Sequence, residues 1–407
     1  MSTAMDRNLD YCLKCNICST QCPVSNNKLD FPGPKHLGPE LERLRLAWRE
    51  QEPIEIEASL GYCTNCKRCD IVCPHGVRPS YYNVKNKAIV KDTFSHKFRD
   101  WILAHNVWWG KLAGKMPTLA NMGLSLPLAK SLFSLLGMAK RDFPQYSKQR
   151  FKLSKQKKVK KVLYFPGCYA SFNEPEIIQA AIEILEAYHY QVELAPEICC
   201  GTPMLSNGLL NESMKLARKN MNCFLRYIDK GFRIITTCPS CGLAFKEEYK
   251  DILPGETSSI LAQNVWDLFE LLIEEEMIPF DLTKNKLDNV YYHVPCHLKA
   301  QVIGIPAAAI LKNVAVTDLI LEDSFCCGLA GTYGFKKEKY DLSLSIGTPL
   351  LKDIAEKNPL LVITDCGTCK VQISHKTNLN VYHPVLILRN YLESTAISNS
   401  QFSLLHA

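Results

Sequence analysis

Cysteine is the residue type that organises this chain, at 19 of 407 positions. Two runs share one spacing. CLKCNICSTQCP carries Cys12, Cys15, Cys18 and Cys22 before Pro23, and CTNCKRCDIVCP carries Cys63, Cys66, Cys69 and Cys73 before Pro74. Both read C-x2-C-x2-C-x3-C-P and stand 51 residues apart. Three thiolates in so tight a loop, with a fourth close behind, suit a compact iron–sulfur cube that needs four inward-pointing sulfurs. Zinc sites use C-x2-C knuckles separated by a long gap, a spacing these runs lack. In two-cluster proteins with this spacing the fourth cysteine of each run ligates the other cluster. The expectation is two [4Fe–4S] clusters: cluster I on Cys12, Cys15, Cys18 and Cys73, cluster II on Cys63, Cys66, Cys69 and Cys22.

A second pattern also occurs twice. Cys168, Cys199-Cys200-Gly201 and Cys238-x2-Cys241 are matched by Cys296, Cys326-Cys327-Gly328 and Cys366-x2-Cys369, each offset by 127 or 128 residues. That constancy at separate sites argues for a duplicated unit. Five sulfurs per unit exceed the needs of one cube. The vicinal pairs suit neighbouring or bridged metal ions, and they also suit redox thiols or a catalytic disulfide. Cys223 has no repeat partner and reads as a packed apolar side chain. The odd total rules out a fully disulfide-paired chain.

These residues need elements to hold them. YFPGC (164–168) and YHVPC (292–296), like IITTCPSC (234–241) and VITDCGTC (362–369), read as buried strands that end at cysteines. Between them, Pro175 to His189 puts Ile178, Ile182, Leu185 and His189 on one helical face, and Leu209 to Lys230 predicts a helix stopped by Gly231. Strands alternating with helices imply α/β units with parallel sheet, whose sites form at the carboxyl ends of strands. Pro39 to Glu50 predicts a helix with a Leu41, Leu44, Ala47 and Trp48 stripe, and Pro79 begins another. The fold class expected is therefore α/β, with a small helical ferredoxin-type N-terminal domain and a duplicated α/β domain in the C-terminal part. The limits expected are 1–93, a connector at 94–158, 159–285 and 286–395 for the two repeats, and a tail at 396–407.

Charge and composition narrow the function. The net charge is +7, but residues 148–161 carry eight basic and no acidic groups, and without them 40 basic face 41 acidic groups. No nucleic-acid partner is expected; the basic segment suits a linker, an acidic partner or anionic lipid. The start MSTAMDRNLDYC has no secretory pattern, so a reducing cytosol is expected, where cysteine clusters mean metal or redox chemistry. Met116 to Ala139 is broken by Pro117, Gly123, Pro127 and Lys130, so no spanning helix is expected. Residues 94–150 mix Trp101, Trp108, Trp109 and Phe133 with lysines and arginines, which suits either a membrane-surface segment or packing between domains. There is no G-x-G-x-x-G after a strand and no P-loop, so no nucleotide or flavin fingerprint is visible. His36, His293, His297, His375 and His383 read as structural, with His297 beside Cys296 the best exception as a tuner of a cluster sulfur.

The paired C…CCG…CxxC units resemble the cysteine-rich CCG family of heterodisulfide reductase subunits and of iron–sulfur subunits of flavin dehydrogenases. FPGPKHLGPELERLRL (31–46) and CCGLAGTYGFKKEKY (326–340) resemble, more narrowly, the C-subunit family of anaerobic glycerol-3-phosphate dehydrogenases. The resemblance implies an electron-transfer subunit without a catalytic residue of its own. Its partners would be flavin-containing dehydrogenase subunits, the membrane quinone pool and the cytoplasmic face of the inner membrane, where it would sit peripherally. It implies that the eight N-terminal cysteines are cluster ligands. By analogy with heterodisulfide reductases, it also implies one or two further non-cubane [4Fe–4S] clusters. Their candidate ligands are Cys168, Cys199, Cys200, Cys238 and Cys241 in one set, and Cys296, Cys326, Cys327, Cys366 and Cys369 in the other. The competing readings are the iron–sulfur subunit of a glycolate or lactate oxidase and a heterodisulfide-reductase-like catalytic subunit.

Overall fold

The computed structural model describes residues 7–47, 58–89, 94–148, 151–154, 158–196, 199–276 and 280–392. Trp48 and the end of the first expected helix, Arg150, Lys155 and Lys157 of the basic run, the limits expected at 1, 93 and 395, and the 396–407 tail lie outside these residues.

The C-terminal part is two α/β units of one design. In the first, strands β1 (Lys160–Phe165), β2 (Tyr190–Leu194), β3 (Arg233–Thr236) and β4 (Val265–Asp267) form a parallel sheet in the order β2-β1-β3-β4. In the second, β5 (Val290–His293), β6 (Leu319–Glu322), β7 (Leu361–Ile363) and β8 (Val381–Tyr382) repeat that order as β6-β5-β7-β8. Registers correspond: Tyr164 pairs with Leu194 and Ile235, and Tyr292 pairs with Leu321 and Ile363. Continuous apolar runs such as Val162–Phe165 and Val290–Tyr292 are buried because helices cover both sheet faces.

Parallel neighbours need crossovers, and the first is the helix Pro175–Ala187, opened by proline in its first turn. Its Ile178, Ile182 and Leu185 join Val385 and Leu388 of the last helix, Pro384–Arg389, in one apolar core that runs through both repeats. Glu183 and Arg389 form an ion pair across this seam. His189 is not part of the expected helical face: the helix ends at Ala187, and His189 is exposed in a left-handed conformation that turns the chain into β2. The helix Leu210–Ile228 and the left-handed Gly231 after it match expectation.

The N-terminal region is small and helical. Each three-cysteine loop runs into a one-turn helix, Ile17–Thr20 or Arg68–Ile71, and the helix Pro79–Lys87 packs on a π-helical turn at His36–Glu40. The stripe expected beyond Pro39 is shifted. In the helix Leu41–Ala47, Leu41 and Glu42 are buried while Leu44 and Ala47 face solvent. The cause is Glu42, whose buried carboxylate is satisfied by Arg45 at 2.6 Å and Lys85 at 2.7 Å.

The connector divides its roles. Arg99 in the helix Phe94–Ala104 is buried and binds Asp100 and Glu338, and Asp100 binds Lys336 at 2.6 Å, so this helix packs on the second repeat. The helices Asn106–Ala113, Pro117–Ser125 and Pro127–Leu135 instead expose Trp108, Leu112, Leu119, Met122, Leu128, Leu132 and Leu135. No described helix is long and apolar enough to cross a membrane.

Candidate metal centres

Both C-x2-C-x2-C loops use the same backbone device. Lys14 and Asn16 in the first loop, and Asn65 and Lys67 in the second, have positive φ between 54° and 66°. The two residue types stand in opposite order in the two loops. Asparagine tolerates this region, whereas a lysine there costs about 1–2 kcal/mol. These left-handed residues turn each loop back on itself between its cysteines.

The fourth cysteines are exchanged between runs. Cys12, Cys15, Cys18 and Cys73 line one cavity together with Pro74 and His75. Burial pushes the Cys18 thiol up, and Cys12, Cys15 and Cys73 act on it in the same direction. Cys22 lies in the other group. Burial pushes its thiol up to about 11, with Cys66 and Cys63 as neighbours, and Cys69 faces Cys66, Cys63 and Cys22. The first group is open, with Cys15 exposed, while Cys66 and Cys69 of the second are buried.

The surroundings of the second group fit an anionic cluster. Buried Tyr333 faces Cys63 and Cys22, and its hydroxyl has no hydrogen-bond partner among the described residues. Asn83 Nδ2 points at Cys63 Sγ from 3.7 Å. Lys87 and Lys339 are buried close to one another; burial holds their ammonium groups down at about 8 and about 7, and Lys336 adds like charge to both. Lys339 Nζ lies 3.7 Å from the centre of the Tyr62 ring. A cluster held by four thiolates would add negative charge beside these lysines, of which Lys336 already pairs with Asp100, and beside the unpartnered Tyr333 hydroxyl.

Each α/β repeat gathers its five cysteines just beyond the carboxyl ends of its strands, where a parallel sheet places sites. In the first, Cys168 faces Cys200 and Cys238, and burial pushes its thiol up to about 12. The thiols of Cys199 and Cys241 donate to Cys200 and hold it well below the ordinary thiol range. In the second, Cys326 and Cys369 do the same for Cys327, and Cys369 holds Cys366 down at about 7. Cys296 faces Cys66, Cys327 and Cys366, so the second ferredoxin-type group adjoins the second repeat. All ten side chains converge as two sets of five, and none of the nineteen cysteines is in a disulfide. Cys223 stands apart, half-buried against the core of the first repeat.

The loop of the second run is wedged between the repeats. Lys67 Nζ lies 3.2 Å from Glu248 of the first repeat, with both side chains buried, and Asn65 donates to the same carboxylate at 3.1 Å. Arg68 donates to the carbonyls of Ser324 and Phe325 in the second repeat, at 2.6 and 2.7 Å, beside Cys66, Cys296 and Cys326.

The histidine at the cysteines is not the one that the sequence singles out. His297 is bound by Ser240 Oγ at 2.8 Å and the Asn65 carbonyl at 3.0 Å, so both ring nitrogens are engaged away from a sulfur. His293 is the histidine at the cysteines: it, Cys327 and Cys369 are buried with ligand atoms within 4.8 Å of one another. Its sequence signal is the replacement of Phe165 by histidine at the matching position of the repeat. Arg68, Lys87, Tyr333 and Lys339 carry no local signal of a role at the cysteines.

Similarity to known proteins follows the same layout. Residues 8–77 match the family model of the 4Fe-4S dicluster domain, and residues 162–246 and 290–374 match the cysteine-rich CCG domain. The chain is 34% identical over 403 residues to the C-subunit of the anaerobic glycerol-3-phosphate dehydrogenase of Escherichia coli, covering 95% of this chain and 99% of that one. It is 26% identical to the B-subunit of the CoM/CoB fumarate reductase of Methanothermobacter marburgensis, over 90% of this chain and 68% of that one. It is 24% identical to the glycolate oxidase iron–sulfur subunit of Escherichia coli, over 95% of both chains. With iron–sulfur domains at both scales of its cysteine repeats and this likeness along almost its whole length, the chain belongs to the C-subunit family of anaerobic glycerol-3-phosphate dehydrogenases.

Proposed function

We propose that the chain is the iron–sulfur electron-transfer subunit of an anaerobic sn-glycerol-3-phosphate dehydrogenase complex, and that it relays electrons from a flavin-containing partner to membrane quinone. The observation that carries this reading is the arrangement of the thiols. The chain holds two groups of four with exchanged fourth cysteines and two groups of five, and Cys66 of the second group of four faces Cys296 of the second repeat. Clusters bound at these thiols supply one-electron storage and transfer.

The chain's own residues do the remainder. Cys12, Cys15, Cys18 and Cys73 would hold cluster I near the surface, within reach of a partner. Cys63, Cys66, Cys69 and Cys22 would hold cluster II beside Tyr333, over whose ring Lys339 lies. The two sets of five would hold two further clusters of the non-cubane kind. Glu248 and the carbonyls of Ser324 and Phe325 fix the Asn65–Arg68 loop against both repeats.

The exposed apolar helices between 106 and 135 support peripheral attachment to the cytoplasmic face of the inner membrane. Leu128 and Leu135 are 80% and 82% exposed, and Lys111 and Lys115 of the same helical segment are exposed as well. Flotation with anionic liposomes tests this part: the parent chain rises with the vesicles at low salt, and Leu128→Glu combined with Leu135→Glu stays in the dense fraction. Failure of the parent to float removes the membrane claim.

Anaerobic pull-down of the native complex from the membrane fraction, followed by a substrate screen, tests the function. The expected result is a flavoprotein partner and reduction of a quinone analogue driven by glycerol 3-phosphate. Turnover with glycolate or lactate alone assigns the chain to the other oxidases. Disulfide or quinone turnover by the isolated chain makes it a catalytic subunit.

A further inference from the structure

The two repeats agree in their cysteines and differ in what stands at the strand ends beside them. His293 is the last residue of β5 and pairs in register with Glu322, the last residue of β6. At the matching positions the first repeat has Phe165, which closes β1, and Ala195, directly after β2. Both His293 and Glu322 are buried.

The histidine is held on one side by a fixed carboxylate. His293 Nδ1 lies 3.4 Å from Glu322 Oε2. The other carboxylate oxygen, Oε1, accepts the backbone N–H groups of Ser324 at 2.6 Å and Phe325 at 2.8 Å, immediately before the vicinal pair Cys326-Cys327. Cys327 and Cys369 are grouped with the imidazole, their ligand atoms within 4.8 Å. A carboxylate behind a histidine, with thiolates in front, is the arrangement that orients a metal-ligating imidazole and sets its tautomer. An imidazole that only filled space would not need a carboxylate anchored by two backbone donors, and the first repeat fills this space with a phenyl ring.

We propose that His293 is a metal ligand, acting through Nε2, so that the centre of the second repeat is a mixed nitrogen–sulfur site and the centre of the first is bound by sulfur alone. This rests on the reading that the ten CCG cysteines hold metal. Glu322 is a positioning residue: it holds the Nδ1 proton and the plane of the ring.

The test uses the full chain, prepared anaerobically with 15N-labelled histidine and with natural histidine, and a Cys200→Ser variant so that the remaining CCG signal belongs to the second repeat. Pulsed EPR reads nitrogen coupling to the paramagnetic centre. The expected result is a 15N-histidine coupling of the size of direct ligation, present in Cys200→Ser and absent from the centre that remains in Cys327→Ser. His293→Phe, which copies the first repeat, should lose that coupling and keep a fold and ferredoxin-type signals like the parent. A second-repeat centre with no histidine coupling, or only the weak coupling of a hydrogen bond to sulfur, overturns the assignment. A chain with no signal that disappears in Cys327→Ser overturns the underlying reading and the ligand with it. The labelled parent chain gives this answer even where a variant fails to fold.

Discussion

The first and second CCG repeats share strand order, register and five cysteines, yet three matching positions beside the sulfurs differ in kind. Phe165, Ala195 and Thr237 in the first correspond to His293, Glu322 and Asp365 in the second. The Tyr164 hydroxyl shares a hydrogen bond with Thr237 Oγ1 at 2.9 Å, and the matching Tyr292 donates to Asp365 at 2.6 Å. One repeat sets neutral groups at these positions, and the other sets a histidine and two carboxylates there. Duplication conserved the positions of the sulfurs, which the sheet ends dictate, while the neighbouring strand-end residues diverged. Cysteine spacing therefore states where the thiols gather, and their neighbours set the surroundings of each group.

The largest effect that tests the comparison is loss of a whole centre. Cys200→Ser and Cys327→Ser should each remove the iron of one repeat and leave the other loaded, as read by iron content and Mössbauer spectra. Loss of both centres from either variant would make the repeats one site.

Next in size is a pair of glycine substitutions. Gly328 has φ +84°, and a Cβ there would meet the Ser343 carbonyl oxygen at 2.1 Å and the Gly347 nitrogen at 2.9 Å. Gly201 has φ +93°, but its nearest obstacle is the Ser213 hydroxyl at 2.8 Å, which can rotate. Gly328→Ala should prevent folding of the second repeat. Gly201→Ala should cost about 1–2 kcal/mol from its left-handed backbone. Thermal denaturation compares them, and equal losses would show that the second turn is no tighter than the first.

A smaller effect lies at the seam between the repeats. Burial, and then the facing Asp365 carboxylate, push Asp267 up to about 7. The folded chain then holds this proton more tightly than the unfolded one. Its contribution to stability is fully present below about pH 4 and is lost as pH rises to about 7. Asp267→Asn keeps an acceptor for the Phe269 N–H and should flatten this decline, gaining on the order of 3 kcal/mol at pH 8. Parallel pH slopes for parent and variant would contradict it. The smallest effect is expected at Cys223, half-buried and without a partner in the second repeat: Cys223→Ser should leave the iron content unchanged.

Much of the fold is legible in the sequence because its signals are local. The two tight cysteine runs, the proline-started crossover helix and the strands that end at cysteines each occupy a short stretch of chain. The exchange of Cys22 and Cys73 is also legible, from spacing and the habit of two-cluster domains. What is not legible depends on contacts across the chain. Arg68 meets Ser324 and Phe325 from far away in sequence, and Lys339 reaches Tyr62 from the other end of the fold. Among histidines that read as structural, His297 stands out as the best exception because it follows Cys296 directly. The helix Cys296–Lys299 instead turns it toward Ser240 and Asn65, while the strand end presents His293 to the thiols. The shift from Leu44 to Glu42 on the buried face has the same origin, since Lys85 in a distant helix helps make that carboxylate burial tolerable.

Electrons from sn-glycerol 3-phosphate are expected to reach the thiol-bound centres of this chain. The direct measurement is EPR of the anaerobic native complex, frozen after addition of that substrate without any other reductant. Reduced-cluster signals that depend on the substrate are expected, with loss of one set of them when Cys18 or Cys66 is replaced by serine. Centres that stay oxidised with glycerol 3-phosphate, while glycolate or lactate reduces them, would contradict it.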